Sequence, residues 1–167
     1  MQLSCKNDIL LNTLNIFFKK NQNNLNSFLD IYYGRSNISL RIIDWFVTNY
    51  SKKNKVYYNL NNDNFIVYLD YKSQLKAFTK KQFDPFCRRE RMNFYYGEKK
   101  FIKTTIGQLN FFKWAFENNI INYINQNIKD IEADMIEEIK EKKNNKLNIK
   151  AKKTINKHYV NITVSFD

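Results

Sequence analysis

The chain has 167 residues, of which 28 are Lys or Arg and 16 are Asp or Glu, giving a formal net charge of +12. This length is typical of one domain with its own hydrophobic core. Fourteen Phe, eleven Tyr and two Trp make the chain too aromatic for a disordered polycation. Gly (three) and Pro (one) are scarce, so Asn and Asp must make most turns. Composition therefore predicts a folded, basic domain.

Positive charge is concentrated in two stretches of the sequence. Residues 72–103 carry ten basic side chains and three acids, and residues 142–157 carry seven lysines and no acid. The rest of the chain is slightly acidic. A local excess of positive charge is typical of proteins that bind anionic partners, most often phosphate polymers.

The apolar pattern of the first third predicts two helices. Residues 9–20 repeat apolar side chains at helical spacing, and the Asn-rich run 21–26 is expected to end this helix. A short apolar piece at 28–33 is ambiguous. Ser39 is then expected to cap a second helix with an apolar stripe from Ile42 to Tyr50.

The middle of the chain reads as two hairpins with a short helix between them. Residues 56–58 and 65–69 are β-rich and flank an Asn/Asp turn. A short helix is expected over 71–78, and Pro85 should interrupt regular structure. The stretches on either side of Gly97-Glu98 predict a second hairpin with basic edges.

The last third predicts a long amphipathic helix and a terminal strand. Thr105 and Gln108 fit a capping box, and apolar residues then recur every three or four positions to Ile139. A break near Asn118-Asn119 is favoured, because one uninterrupted helix would be unusually long. Residues 160–166 alternate apolar and polar side chains, which predicts a strand, and the lysines before it are expected to form a loop.

Few residues suit catalysis. His158 is the single histidine, and a solvated role beside the strand is the better interpretation. Cys5 and Cys87 have no CxxC spacing, so no zinc site, disulfide or cofactor is predicted. A metal-dependent nuclease could use Asp70 or Asp84 with Glu98 and Lys100, but this pattern is weak in a Lys-rich chain. No transmembrane segment or secretion signal is expected.

The candidate binding residues lie in the two basic stretches. Guanidinium groups bind phosphate oxygens in pairs, and aromatic rings near them can stack on exposed bases. The alternative is that the aromatics are core residues and the charges a solvated face. The predicted nucleic-acid-binding residues are Lys72, Lys76, Lys80, Lys81, Arg88, Arg89, Arg91, Lys142, Lys143, Lys150, Lys152 and Lys153.

Four segments carry a resemblance to a known group of proteins. They are SLRIIDWFVTNY (39–50), YKSQLKA (71–77), FDPFCRRER (83–91) and GQLNFFKWA (107–115). Over about residues 39–124 the chain resembles small uncharacterised basic proteins of nucleocytoplasmic large DNA viruses. The resemblance implies a viral protein made in the host cytoplasm, in a viral factory, and a component of the virion. Localisation to the nucleus is a separate expectation, since Lys150-Ala151-Lys152-Lys153 could be read as a nuclear signal.

We therefore expect an α+β domain over residues 1–141, with helices packed on a small antiparallel sheet built from hairpins. Residues 142–167 are expected to form a lysine-rich segment whose strand could join that domain. The predicted function is that of a non-enzymatic structural protein that binds nucleic acid without sequence preference. The alternative is a minor capsid or scaffold protein that contacts other virion proteins through its basic and aromatic surfaces.

Overall fold

A computed structural model describes residues 2–87 and 89–154, with side chains described over 6–87 and 89–145. Arg88, Lys157, His158 and the strand expected over 160–166 lie outside the described residues. The elements follow in the order α1 (Gln2–Lys20), α2 (Gln22–Tyr32), α3 (Leu40–Trp45), a π-helical segment (Phe46–Tyr50), α4 (Ser51–Lys53), β1 (Tyr57–Leu60), β2 (Asp63–Ile66), α5 (Val67–Ala77), α6 (Lys80–Phe83), β3 (Met92–Tyr95), β4 (Phe101–Thr104), α7 (Ile106–Glu117) and α8 (Ile120–Thr154). The α+β fold class is confirmed.

The Asn-rich run over 21–26 follows the end of α1 at Lys20, as expected, but most of it forms the first turns of α2. Asn21 alone interrupts the helices, and its side-chain amide donates to the Phe17 carbonyl at 2.9 Å. Leu25, Phe28 and Ile31 are buried on one face of α2. This burial outweighs the low helix propensity of asparagine, because tertiary packing contributes most of the stability of a short helix.

The expected second helix forms and is capped as predicted. The Ser39 hydroxyl accepts a hydrogen bond from the Ile42 N–H at 3.3 Å. The predicted apolar stripe includes Ile42, Ile43 and Phe46, which are all buried. The sequence did not reveal the wider π-helical turn at Phe46–Tyr50 that divides α3 from α4.

Both hairpins form as antiparallel pairs, and among the described residues they are two separate two-stranded sheets. Asn61 and Asn62 turn the first hairpin with positive φ angles of 52° and 72°, as expected for the primed turns that suit hairpins. Residues 67–69, expected to extend β2, instead begin α5. Val67 and Tyr71 are both buried at helical spacing, so packing selects the helix there.

The break near Asn118-Asn119 is confirmed, since α7 ends at Glu117, α8 starts at Ile120 and Asn119 has φ 58°. The loop expected from residue 142 is wrong over 142–154, where α8 continues to Thr154. Lys and Ala favour helix, and Lys142 pairs with Glu138 one turn earlier at 2.6 Å. These local preferences outweigh the mutual repulsion of the lysines.

Aromatic side chains form the centre of the core. Phe28 contacts Phe18 and Phe112, with ring centroids 5.4 and 4.7 Å apart, which joins α1, α2 and α7. Phe83 contacts Trp114 at 5.6 Å and thereby seats α6 on α7. Within residues 2–87 and 89–154, no helix has both the length and the apolar character needed to cross a bilayer.

Candidate nucleic-acid interface

The loop over residues 84–91, which carries the predicted arginines, is fixed at its start by α7. The Gln82 carbonyl accepts from the Asn110 side-chain amide at 2.9 Å, and Asn110 is only 5% exposed. Gly107 allows α7 to approach so closely that a Cβ there would lie 2.8 Å from the Lys81 carbonyl oxygen and 2.9 Å from that of Asp84. The loop therefore leaves from a rigid support.

Two local backbone features shape the loop that carries the arginines. The Asp84 carboxylate accepts from the Phe86 N–H at 2.8 Å, which makes a local Asx turn. Glu90, between Arg89 and Arg91, has φ 57°, a left-handed conformation that is uncommon for residues other than glycine. Arg89 and Arg91 are both exposed.

A cleft of about 280 Å³ lies between this loop and β4, and we call it the basic cleft. Arg91 of the loop and Lys103 of β4 are among the residues that line it. Phe86 and Tyr32 line it as well and are 48% and 36% exposed. The Tyr32 hydroxyl donates to the Lys103 carbonyl at 3.0 Å, which ties α2 to β4. The basic cleft thus combines two cations with two accessible rings.

The predicted residues of the first basic stretch that the structure describes fall into two groups, those that have an acidic partner and those that have none. Lys80 lies 3.8 Å from Asp84, and Lys81 forms an ion pair with Glu90. Among the described side chains, the remaining members have no acid within ion-pair distance and are exposed; these are Lys72, Lys76, Arg89 and Arg91. Exposed ion pairs are weak, but they lower the positive potential at the paired lysines.

The second basic stretch lies on α8 and is partly neutralised as well. Lys142 pairs with Glu138 and lies 5.6 Å from the centre of the Trp45 ring. Lys142 also shares a depression of about 420 Å³ with Glu137 and Glu141, which makes that surface mixed in charge. Lys143 is exposed, and Lys150, Lys152 and Lys153 occupy the last turns of α8.

The acids of α8 hold the helix against its own domain. Asp134 accepts from the Trp45 indole N–H at 3.0 Å and from the Lys53 ammonium at 2.5 Å. The hydrogen bond to Asp134 raises the pKa of Lys53. Asp134 and Glu138 thus pair with basic side chains of the same chain, Lys53 and Lys142.

The sequence interpretation expected aromatic rings near the arginines but did not identify an exposed pair of rings on the second hairpin. Phe94 and Ile102 face each other across the strands and are each 3% exposed. Their neighbours Tyr95 and Phe101 also face each other, with centroids 5.5 Å apart, but are 58% and 45% exposed. We call these two rings the aromatic pair. Strand alternation could have revealed it, because residues next to a buried cross-strand pair must face outward.

A groove of about 840 Å³ runs beside the tip of the same hairpin. Tyr33 and Tyr96 line it and share a side-chain hydrogen bond, which raises the pKa of Tyr33. The Arg35 guanidinium lies 5.0 Å from the centre of the Tyr33 ring. Lys99 and Lys100 complete the wall. Sequence reasoning did not select Arg35, Lys99 or Lys100 as binding residues.

Two of the carboxylates weighed for metal chemistry, Asp70 and Asp84, have other hydrogen-bond partners. Asp70 accepts from the Trp114 indole N–H at 2.6 Å, and Asp84 is used in its own turn. Burial and the charge of Asp84 raise the pKa of Asp44, a further carboxyl of this region. Among the described residues, no group of three or more His, Cys, Asp or Glu side chains is placed to hold a metal ion.

Sequence comparisons connect the chain to a family. The matching family model is described as a family of unknown function (DUF7197) and covers residues 2–164. The chain belongs to this family. Among curated proteins, "Uncharacterized protein L507" of Acanthamoeba polyphaga mimivirus is 42% identical over 149 residues, which cover 84% of this chain and 58% of that relative. The chain thus spans little more than half of the relative's length. No solved structure gives a significant match.

These comparisons confirm the coarser part of the resemblance, namely the relation to an uncharacterised protein of a large DNA virus. The match also extends beyond the 39–124 range that the sequence segments suggested. Residues 2–164 include α1, α2 and all of α8. The matched range therefore includes the acidic and lysine-rich parts of α8.

Proposed function

We propose that this chain binds nucleic acid without sequence preference, as a non-enzymatic component of a large DNA virus particle. The observation that carries the proposal is the basic cleft, in which Arg91 and Lys103 stand beside exposed Phe86 and Tyr32. Among the described side chains, neither cation has an acid within ion-pair distance. Unpaired cations on a rigid support suit phosphate oxygens.

The absence of sequence preference follows from the kind of group present. Contacts from Lys and Arg to phosphates position a nucleic acid but carry no sequence information, whereas base edges are read by side chains held in a groove. The predicted cations lie on α5, on α6, on the loop that follows it and on α8, and Lys103 lies on β4. Cations distributed over several elements in this way can contact the phosphates of a nucleic acid of any sequence.

The proposal is tested by comparing two double variants that remove the same net charge. R91A/K103A removes two unpaired cations, and K80A/K81A removes two cations that face Asp84 and Glu90. If Arg91 and Lys103 each contact a phosphate, the slope of log affinity against log salt on duplex DNA becomes shallower by about 1.8 in R91A/K103A. K80A/K81A should change the slope by less than half as much.

Fluorescence anisotropy with two unrelated labelled duplexes measures both slopes. Equal losses in the two variants would mean that net charge alone matters and that the basic cleft is not the contact. Failure of the unmodified chain to bind either duplex at low salt, with association to capsid proteins retained, would replace the proposal with the scaffold alternative.

A further inference from the structure

We infer that the preferred ligand of this surface is single-stranded nucleic acid, whose bases stack on the aromatic pair, Tyr95 and Phe101. This inference rests on the proposed function and names its substrate class. It starts from the outer face of the second hairpin. The two rings are directly opposed across the strands and remain 58% and 45% exposed, while the residues behind them are buried.

Charge around the aromatic pair favours a polyanion over an apolar protein surface. Lys103 lies on the same outer face as the pair, since its cross-strand partner Asn93 is two residues before Tyr95. Lys99 and Lys100 follow at the hairpin tip, and Arg91 directly precedes β3. Between residues 91 and 103 the sequence has four cations and one acid, Glu98. A partner that stacks on these rings therefore lies next to several positive charges, which favours a negatively charged partner.

Stacking distinguishes single strands from duplexes. The flat faces of bases are covered by their neighbours inside a duplex, but they become available when a strand is unpaired. Exposed rings interleaved with cations are the usual platform for unpaired strands, because each base offers a flat face and each linkage a phosphate. A duplex would use only the cations and would leave Tyr95 and Phe101 without a role.

Two neighbouring depressions lie beside the hairpin that carries the aromatic pair. Tyr95 lines a cavity of about 310 Å³ that also includes Lys19. This cavity shares Gln22, Tyr96 and Gly97 with the larger groove that contains Tyr33 and Arg35. These two depressions place further rings and cations, among them Tyr33, Arg35 and Lys19, near the hairpin that carries the aromatic pair.

The test compares a labelled oligothymidylate of about 16 nucleotides with a duplex of the same length. We expect the unmodified chain to bind the single strand more tightly than the duplex. Y95A/F101A should lose about tenfold or more in single-strand affinity, since stacking on one base is commonly worth about that factor. Its duplex affinity should change by less than about twofold, because the cations remain.

Two matched variants isolate the role of the rings. Y57A removes a tyrosine that is 68% exposed on the first hairpin and should leave single-strand affinity unchanged. Y95F/F101Y keeps both rings and should bind as the unmodified chain does. Circular dichroism melting of each variant confirms that the hairpin remains folded, which is expected because both positions are exposed.

The outcomes separate this inference from the proposed function. Unchanged single-strand binding by Y95A/F101A, or equal affinity of the unmodified chain for both ligands, overturns the inference and leaves general nucleic-acid binding intact. No binding to either ligand at low salt overturns both. If the double variant instead alters self-association in sedimentation velocity without altering single-strand affinity, the aromatic pair is a protein contact and the inference is wrong.

Discussion

Gly107 is expected to be required for the packing that supports the basic cleft. Replacing a helical Gly with Ala ordinarily stabilises a protein by about 0.5–1 kcal/mol, because Gly loses more backbone entropy on folding. Here the new Cβ would lie 2.8 Å from the Lys81 carbonyl oxygen, 2.9 Å from the Asp84 carbonyl oxygen and 3.3 Å from the Asp84 nitrogen. All three atoms belong to the backbone, so no side chain can rotate away.

Gly107→Ala is therefore expected to destabilise the protein instead of stabilising it. Overpacking typically costs about 1–3 kcal/mol, and the upper half of this range, about 2–3 kcal/mol, applies because all three contacts are with backbone atoms. After the entropic gain of about 0.5–1 kcal/mol the net loss is about 1–2.5 kcal/mol. For a chain of this size, that corresponds to a fall in melting temperature of about 2–10 °C. The assay is urea and thermal unfolding, followed by circular dichroism and by the fluorescence of Trp45 and Trp114.

Gly97→Ala is the matched control for Gly107→Ala. A Cβ at Gly97 would lie 3.6 Å from its nearest neighbour, the flexible Lys100 side chain, so we expect a change within about 0.5 kcal/mol. A Gly107→Ala protein as stable as the unmodified chain would refute the claim that α7 packs too closely on the backbone of Lys81 and Asp84 to leave room for a Cβ at residue 107. It would also remove the argument that the loop over 84–91 leaves from a rigid support.

Two further predictions concern the free energy of unfolding. Asp134→Ala should lower the free energy of unfolding by about 1–3 kcal/mol, because this carboxylate accepts hydrogen bonds from the Trp45 indole N–H and from Lys53. In the same urea titration, Glu137→Ala, at an exposed position, should change the free energy of unfolding little. Equal effects of the two variants would contradict the role of Asp134 in holding α8 against the domain. Burial raises the pKa of Tyr71 to about 12, whereas an unfolded tyrosine titrates near 10. The unfolded state then releases this proton first, so the stability contribution is complete below about pH 10 and is lost as the pH rises to about 12. Unfolding titrations from pH 9 to 12 should show this fall, and Tyr71→Phe should make it shallower; an identical fall in the variant would count against the burial of the hydroxyl.

The features that could be predicted from sequence are those with local causes. Ser39 and Thr105 cap their helices as expected, because a hydroxyl that binds an N–H three residues later needs no other part of the chain. The Thr105 box is not reciprocal, however, since the Gln108 amide oxygen accepts from the Thr104 hydroxyl at 2.6 Å. Turn chemistry likewise identified both hairpins, and the usual length of helices predicted the break between α7 and α8.

The features that could not be predicted depend on long-range packing. Residues 67–69 are rich in strand formers, yet they form α5 because Val67 faces the core there. Charge neutralisation is equally non-local, since Lys53 meets Asp134 across 81 positions. Local sequence also cannot tell which cations remain without an acidic partner. For this reason the sequence predicted a broad lysine-rich region, whereas the candidate site in the structure consists of Arg91, Lys103 and the aromatic pair.

The most direct test of the central claim is the salt dependence of nucleic-acid binding by the unmodified chain. Anisotropy is measured with two unrelated sequences between about 50 and 200 mM salt. An outward, unpaired cationic surface predicts that both sequences bind with similar affinity, which falls steeply and in parallel as salt rises. No binding at the lowest salt, or an affinity that salt does not change, would contradict the account.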